Sequence, residues 1–125
     1  MNIALLAKRG SQVLSLPLYP GELVLGRSKE ADLILPEDWT FLSALHLTLK
    51  INSDDTILVR DGVAGKKSTN GTQLNRCYIR TDCWTDFNPG DELQIGSQLR
   101  NAVQITVLAK DNTTINSSTC SQWQW

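Results

Sequence analysis

The chain has 125 residues, with 12 Lys and Arg against 13 Asp and Glu, and carries a formal net charge of -1. That length suits one domain, and a hydrophobic share of 41% is enough for a core. Near neutrality excludes binding nucleic acid through bulk charge, because such binding needs a clustered excess of Lys and Arg.

Period-2 alternation is frequent along the chain and helical periodicity is poor. The first predicted strand covers residues 3–7, and Leu14, Leu16 and Leu18 then alternate with Ser15 and Pro17. Short apolar segments follow at 23–25 and 33–35. Leu45, Leu47, Leu49 and Ile51 alternate with His46, Thr48 and Lys50. Further strands are predicted at 57–60, 78–79 and 93–95, and Val103, Ile105 and Val107 alternate with Gln104 and Thr106. Such alternation puts one face of each strand on a core and the other toward solvent, as in half-buried antiparallel sheets.

Turn signals separate the segments: Arg9-Gly10-Ser11, Pro20-Gly21, Asn52-Ser53-Asp54-Asp55, Asn70-Gly71 and Pro89-Gly90. In the last, Pro presets φ and Gly accepts a positive φ, as a type II turn requires. Many short strands with turns every 8–12 residues point to a β-sandwich. The expected domain is residues 1–110. Residues 111–125 form a polar, Ser- and Thr-rich tail expected to be flexible. Trp123 and Trp125 complicate that tail, because they suit docking onto the sandwich or onto a partner, or else mark where a longer chain was cut. Thr113, Thr114 and Thr119 are candidate phosphoacceptors through which the tail would mediate self-association.

Apolar runs such as residues 3–7 are far shorter than the roughly 20 residues that cross a bilayer, and no basic segment leads into an apolar one as in a secretory signal. The expectation is a cytoplasmic protein that engages no membrane. Cys77, Cys83 and Cys120 are odd in number and lack CxxC spacing, so neither a disulfide framework nor a zinc site is expected; the thiols read as buried and inert. The sequons at Asn70, Asn112 and Asn116 read as chance matches in a chain without a secretory signal.

Four segments carry chemistry. They are Leu25-Gly26-Arg27-Ser28; Ser43-Ala44-Leu45-His46; Ser68-Thr69-Asn70-Gly71-Thr72; and Asn88-Pro89-Gly90-Asp91-Glu92-Leu93-Gln94-Ile95-Gly96. In this order and spacing the chain closely resembles the forkhead-associated (FHA) domain, over roughly residues 3–108. The resemblance implies an all-β fold, a two-sheet antiparallel β-sandwich of about eleven short strands. It also implies a non-enzymatic module without cofactor or metal, whose loops bind a Thr-phosphorylated protein or peptide in phosphorylation-dependent signalling. Arg27 would contact the phosphate or brace the phosphate loop, Ser43 would donate its hydroxyl to a phosphate oxygen, and Thr69 would support that end of the site. Asn70 would hydrogen-bond the peptide backbone. His46 would order the loops, and Gly26 and Gly71 would permit tight backbone geometry.

A phosphothreonine brings a charge of about -1.5 to -2 and three acceptor oxygens, so its reader needs a cation and donors held by loops on a rigid scaffold. The chain departs from the family pattern at Ala44 and Phe41, positions that often carry Arg, Lys or Asn. Losing one charge-assisted hydrogen bond there weakens binding by about 1.5–3 kcal/mol; Lys66, Lys67 or Lys29 would compensate. The departure also motivates an alternative, a degenerate FHA-type domain that docks a protein partner independently of phosphate through Trp39 and Phe41. Ser43, His46 and Asp61 invite a nucleophile–base–orienter reading, but no Gly-x-Ser-x-Gly elbow accompanies them. Gly65-Lys66-Lys67-Ser68-Thr69 fails as a P-loop, because Arg60 occupies the position of the first Gly and Lys67 intervenes before Ser68.

Overall fold

The alternating segments become the strands of two facing sheets in a computed structural model that describes residues 3–96 and 102–109. The strands are β1 (Ile3–Arg9), β2 (Gln12–Pro17), β3 (Gly21–Gly26), β4 (Leu33–Ile34), β5 (Leu47–Ile51), β6 (Ile57–Asp61), β7 (Gln73–Leu74), β8 (Cys77–Tyr78), β9 (Thr85–Asp86), β10 (Glu92–Ile95) and β11 (Val103–Ala109). One sheet has the order β2-β1-β11-β10-β7-β8 and the other β4-β3-β5-β6-β9. Among the described residues no helix is long and apolar enough to cross a membrane.

Register follows the apolar pattern, since a slip of one residue would turn every core side chain outward. Leu5 pairs with Val107 and Ala7 with Ile105 across β1 and β11. In the other sheet Leu49 lies between Leu23 on β3 and Val59 on β6. All of these residues are buried, and they meet between the sheets with Leu93, Ile95 and Phe87.

Several expectations are corrected. The second sheet is mixed rather than antiparallel, because β4 runs parallel to β3, with Leu25 opposite Leu33. Strands β7 and β9, two residues each, escape any periodicity argument. Strand β5 begins at Leu47 rather than Leu45; the His46 N–H bonds the Leu25 carbonyl just ahead of it. Cys77 and Cys83 are exposed rather than buried: β8 is a two-residue strand at the end of its sheet and Cys83 lies in the connection to β9.

Trp39 and Phe41 form no docking patch. Trp39 is 0% exposed within the core, and its indole N–H donates to Gln12 Oε1 at 2.9 Å, as a buried indole requires. Phe41 is half-buried, with its ring over Gly96 (φ 95°), where a Cβ would come within 2.9 Å of that ring. The loop between β4 and β5 therefore tucks its apolar side chains inward and leaves polar ones outside. The tail, with Trp123, Trp125, Cys120 and its threonines, lies outside the described residues.

Candidate functional site

Leu25, Leu47 and Asp61 sit on one row across β3, β5 and β6. The loops that leave β3, enter β5 and leave β6 therefore emerge at one end of the sandwich. The first two are stitched together by Ser28 N–H to the Ala44 carbonyl at 3.0 Å. Gly26 makes that approach possible, because a Cβ there would collide with the Ala44 backbone. Gly62 N–H to the His46 carbonyl at 2.8 Å adds the third loop.

Arg27 lies beneath the β4–β5 loop. Its Nε donates to the Leu42 carbonyl at 2.7 Å and its Nη1 to the Glu37 carbonyl at 3.1 Å. Two bonds from one rigid guanidinium fix the segment that carries Ser43. Among the described residues Arg27 makes no ion pair with a carboxylate, so its charge stays uncompensated at this end. It lines neither of the clefts described below, and Lys29 also lies outside both.

His46 joins two loops. Its Nδ1 accepts the Ser43 N–H at 2.9 Å, so Nε2 carries the proton and donates to the Gly71 carbonyl at 3.0 Å. The ring is buried, which pushes its pKa below the ordinary histidine value, while the Gly71 carbonyl and Asp61 at 3.9 Å act in the opposite direction. Because Nδ1 faces the Ser43 backbone and not its hydroxyl, Ser43, His46 and Asp61 do not form a nucleophilic relay.

Sequence reasoning missed what holds the β6–β7 loop. Asp61, only 3% exposed, accepts the Ser68 N–H at 3.1 Å, the Ser68 hydroxyl at 2.6 Å and the Thr72 hydroxyl at 2.7 Å. Ser68 Oγ in turn accepts the Gly71 N–H at 2.9 Å. A carboxylate closing an apolar strand ahead of a run of hydroxyl residues was the available signal. Between Gly62 and Lys67 the chain turns through Ala64 (φ 52°) and Gly65 (φ 82°), with Val63 and Lys66 exchanging both backbone hydrogen bonds at 3.0 Å, the geometry of a type I′ turn.

Two clefts result. The smaller, about 470 Å³, is lined by Ser43, Ala44, Lys66, Lys67 and Thr69, with Leu45, Val63 and Ala64 as its apolar wall. Ser43 Oγ accepts the Thr69 N–H at 2.9 Å, which keeps the hydroxyl hydrogen available to an incoming acceptor. The larger, about 690 Å³, lies between the β6–β7 loop and the segment after β8, and includes Asn70, Tyr78, Arg80 and Asp82. Lys67 and Thr69 line both. Asn70 is tied down, its amide donating to the Phe41 carbonyl at 2.8 Å. Gly71 (φ 77°) supports the Tyr78 ring, which a Cβ would meet at 2.9 Å.

Chemically, the smaller cleft is lined by two hydroxyl residues, Ser43 and Thr69, and two lysines, with no carboxylate on its lining, an arrangement suited to a small anion with several oxygens. Among the described residues no three His, Cys, Asp or Glu side chains group as metal ligands would.

The FHA domain family model matches residues 23–96. No curated protein sequence matches the chain. Among solved structures, the FhaA FHA domain complexed with the intracellular domain of Rv3910 is 25% identical with a TM-score of 0.63, the match covering 85% of this chain and 99% of that one. The Slr1951 protein from Synechocystis sp. is 23% identical with a TM-score of 0.71, over 87% of this chain and 99% of its own. The N-terminal FHA domain of S. cerevisiae Rad53p, in complex with a phosphothreonine peptide, is 18% identical with a TM-score of 0.67, over 88% and 94%. The latter two share the fold.

Proposed function

The chain belongs to the FHA domain family, and from that premise we propose that it is a non-enzymatic module that captures a phosphothreonine-containing segment of a partner protein. The capture site is the loop end where Ser43, Lys66, Lys67 and Thr69 meet. One observation carries this reading: Ser43 Oγ is held by the Thr69 N–H at the edge of a cleft that two lysines line and no carboxylate enters. The phosphothreonine-dependent interactions of an FHA domain 25% identical to this chain, and the phosphothreonine peptide bound by the Rad53p domain, support it.

In this reading the phosphate accepts the Ser43 O–H and is neutralised by Lys66 and Lys67, with Thr69 fixing the Ser43 oxygen. Leu45, Val63 and Ala64 receive the threonine methyl. Arg27 acts by positioning, holding the loop through Leu42 and Glu37 while adding its field. Asn70 keeps its Oδ1 and one amide hydrogen for the peptide backbone. Gly26, His46 and Gly71 maintain loop contact. Burial of Trp39 takes that side chain out of any phosphate-independent docking surface, which favours the phosphate-dependent reading.

Isothermal titration with matched threonine, phosphothreonine and phosphoserine peptides tests the proposal. Binding confined to the phosphorylated forms, and lost in the Arg27→Ala/Ser43→Ala double variant, is expected. Equal binding of all three peptides, or binding that survives the double substitution, refutes it.

A further inference from the structure

The larger cleft is not needed to hold a phosphate, yet it adjoins the smaller one at Lys67 and Thr69, which line both. We propose that it seats an acidic side chain of the bound segment, flanking the phosphothreonine, between Lys67 and Arg80. The proposal rests on the phosphothreonine reading, since the phosphate in the smaller cleft is what anchors the segment beside it.

Charge on the cleft wall selects the occupant. Its carboxylates are Asp61 and Asp82 and its cations Lys67 and Arg80. Asp61 is buried and its oxygens are taken by Ser68 and Thr72, so it presents no acceptor to the cleft. Arg80 is held by Asp82 through two bonds, Nε to Oδ1 at 2.8 Å and Nη2 to Oδ2 at 2.7 Å. Both partners are widely exposed, at 72% and 65%; such a pair is weak and exchanges readily with a competing carboxylate. Both residues line the cleft, and among the described residues Arg80 Nη1 makes no hydrogen bond, which leaves a donor for a ligand. Two exposed cations face one exposed carboxylate, and a basic side chain would meet Lys67 with Asp82 already engaged. Tyr78, 65% exposed and resting on Gly71, gives the methylene groups of a glutamate an aromatic surface beside the cations.

The test is fluorescence polarisation with phosphothreonine peptides carrying Glu, Gln, Lys or Leu in turn at each flanking position. At one position Glu is expected to bind about two- to fivefold more tightly than Gln, the range for exposed ion pairs, and Lys more weakly than Gln. Arg80→Gln is expected to remove most of the Glu–Gln difference, Lys67 keeping the remainder, and to change the Gln peptide's affinity less than the Glu peptide's, and Asp82→Asn to enlarge the difference. The Arg80 carbonyl, which accepts the Asp61 N–H at 3.1 Å, is unaffected by these changes, and circular dichroism checks the fold. Phosphothreonine-dependent binding with no acidic preference at any position, a preference for Leu, or a Glu–Gln difference that Arg80→Gln leaves undiminished overturns this proposal alone. Loss of phosphate dependence overturns the underlying reading and this proposal with it.

Discussion

Replacing Asp61 by Ala removes the acceptor of three hydrogen bonds at once: the Ser68 N–H at 3.1 Å, the Ser68 hydroxyl at 2.6 Å and the Thr72 hydroxyl at 2.7 Å. All three residues are buried. The hydroxyls can rotate toward other acceptors, but the Ser68 N–H cannot, and a stranded buried donor costs about 1–3 kcal/mol. Hydrogen bonds to a charged group are each worth about 1.5–3 kcal/mol. Against them stands the desolvation of a buried carboxylate, which alanine relieves. The balance predicts a loss of about 2–4 kcal/mol, a large share of the 5–15 kcal/mol typical of a domain. At about 4–8 °C per kcal/mol the melting temperature should fall by roughly 8–32 °C. Asp61→Asn keeps one acceptor oxygen for the hydroxyls but turns an amide toward the Ser68 N–H, so its loss should be intermediate. Urea unfolding followed by fluorescence and circular dichroism measures both variants. An alanine variant within about 0.5 kcal/mol of the native chain would refute the view that this carboxylate organises the loop.

Gly26→Ala should cost about 2–4 kcal/mol by driving a Cβ into the Ala44 backbone and should weaken phosphopeptide binding; unchanged urea midpoint and affinity would show that the close approach is not needed. Ala64→Asn should stabilise the chain by up to about 1 kcal/mol, because φ is 52° there and Asn-Gly suits a type I′ turn; calorimetry decides. His46 is neutral in the fold with its pKa lowered by burial, so the unfolded chain takes up its proton first as pH falls. Stability from this group is complete above the ordinary histidine value near 6.5 and declines as pH drops through that value toward the folded pKa; His46→Gln should lack this decline in pH-dependent unfolding. Ala44→Arg, at an exposed position on the smaller cleft, should tighten phosphothreonine peptides about three- to tenfold, and titration showing no gain would place the phosphate elsewhere.

The long strands were legible because one face of each is buried. Alternation over residues 47–51 or 103–107 leaves no second register that covers the core. Strands β7 and β9 were not, since two residues carry no period and their pairing is set by neighbours distant in sequence. Trp39 could not be assigned from the chain, because an apolar loop reads alike whether it folds inward or waits for a partner; Gln12, 27 residues away, decides it by receiving the indole proton. Cysteine burial was misjudged from residue type, which knows nothing of a two-residue strand at the end of a sheet. At the site, the motif order located the residues but not which of their donors the scaffold uses. Arg27 facing two carbonyls, and Asp61 gathering Ser68 and Thr72, are properties of three-dimensional closure.

A chain of net charge -1 binds an anion only where cations gather without carboxylates. Among the described residues Asp82 is ion-paired with Arg80, while Asp61 lies 3.9 Å from a neutral His46; Lys66, Lys67 and Arg27 have no carboxylate partner. Charges beyond a Debye length, about 8 Å at physiological ionic strength, contribute little across solvent, so affinity is set by this cluster and not by the neutral average. The scaffold's own bonds also set selectivity on the proposed reading. Thr69 N–H is committed to the Ser43 oxygen and two Arg27 donors to loop carbonyls, which fixes the loops before any ligand arrives and lowers the ordering cost of binding. The groups left over on the smaller cleft are the Ser43 and Thr69 hydroxyl hydrogens and the charges of Lys66 and Lys67. An unmodified threonine can use the hydroxyls and cannot neutralise the lysines, whereas a phosphate uses both kinds of group.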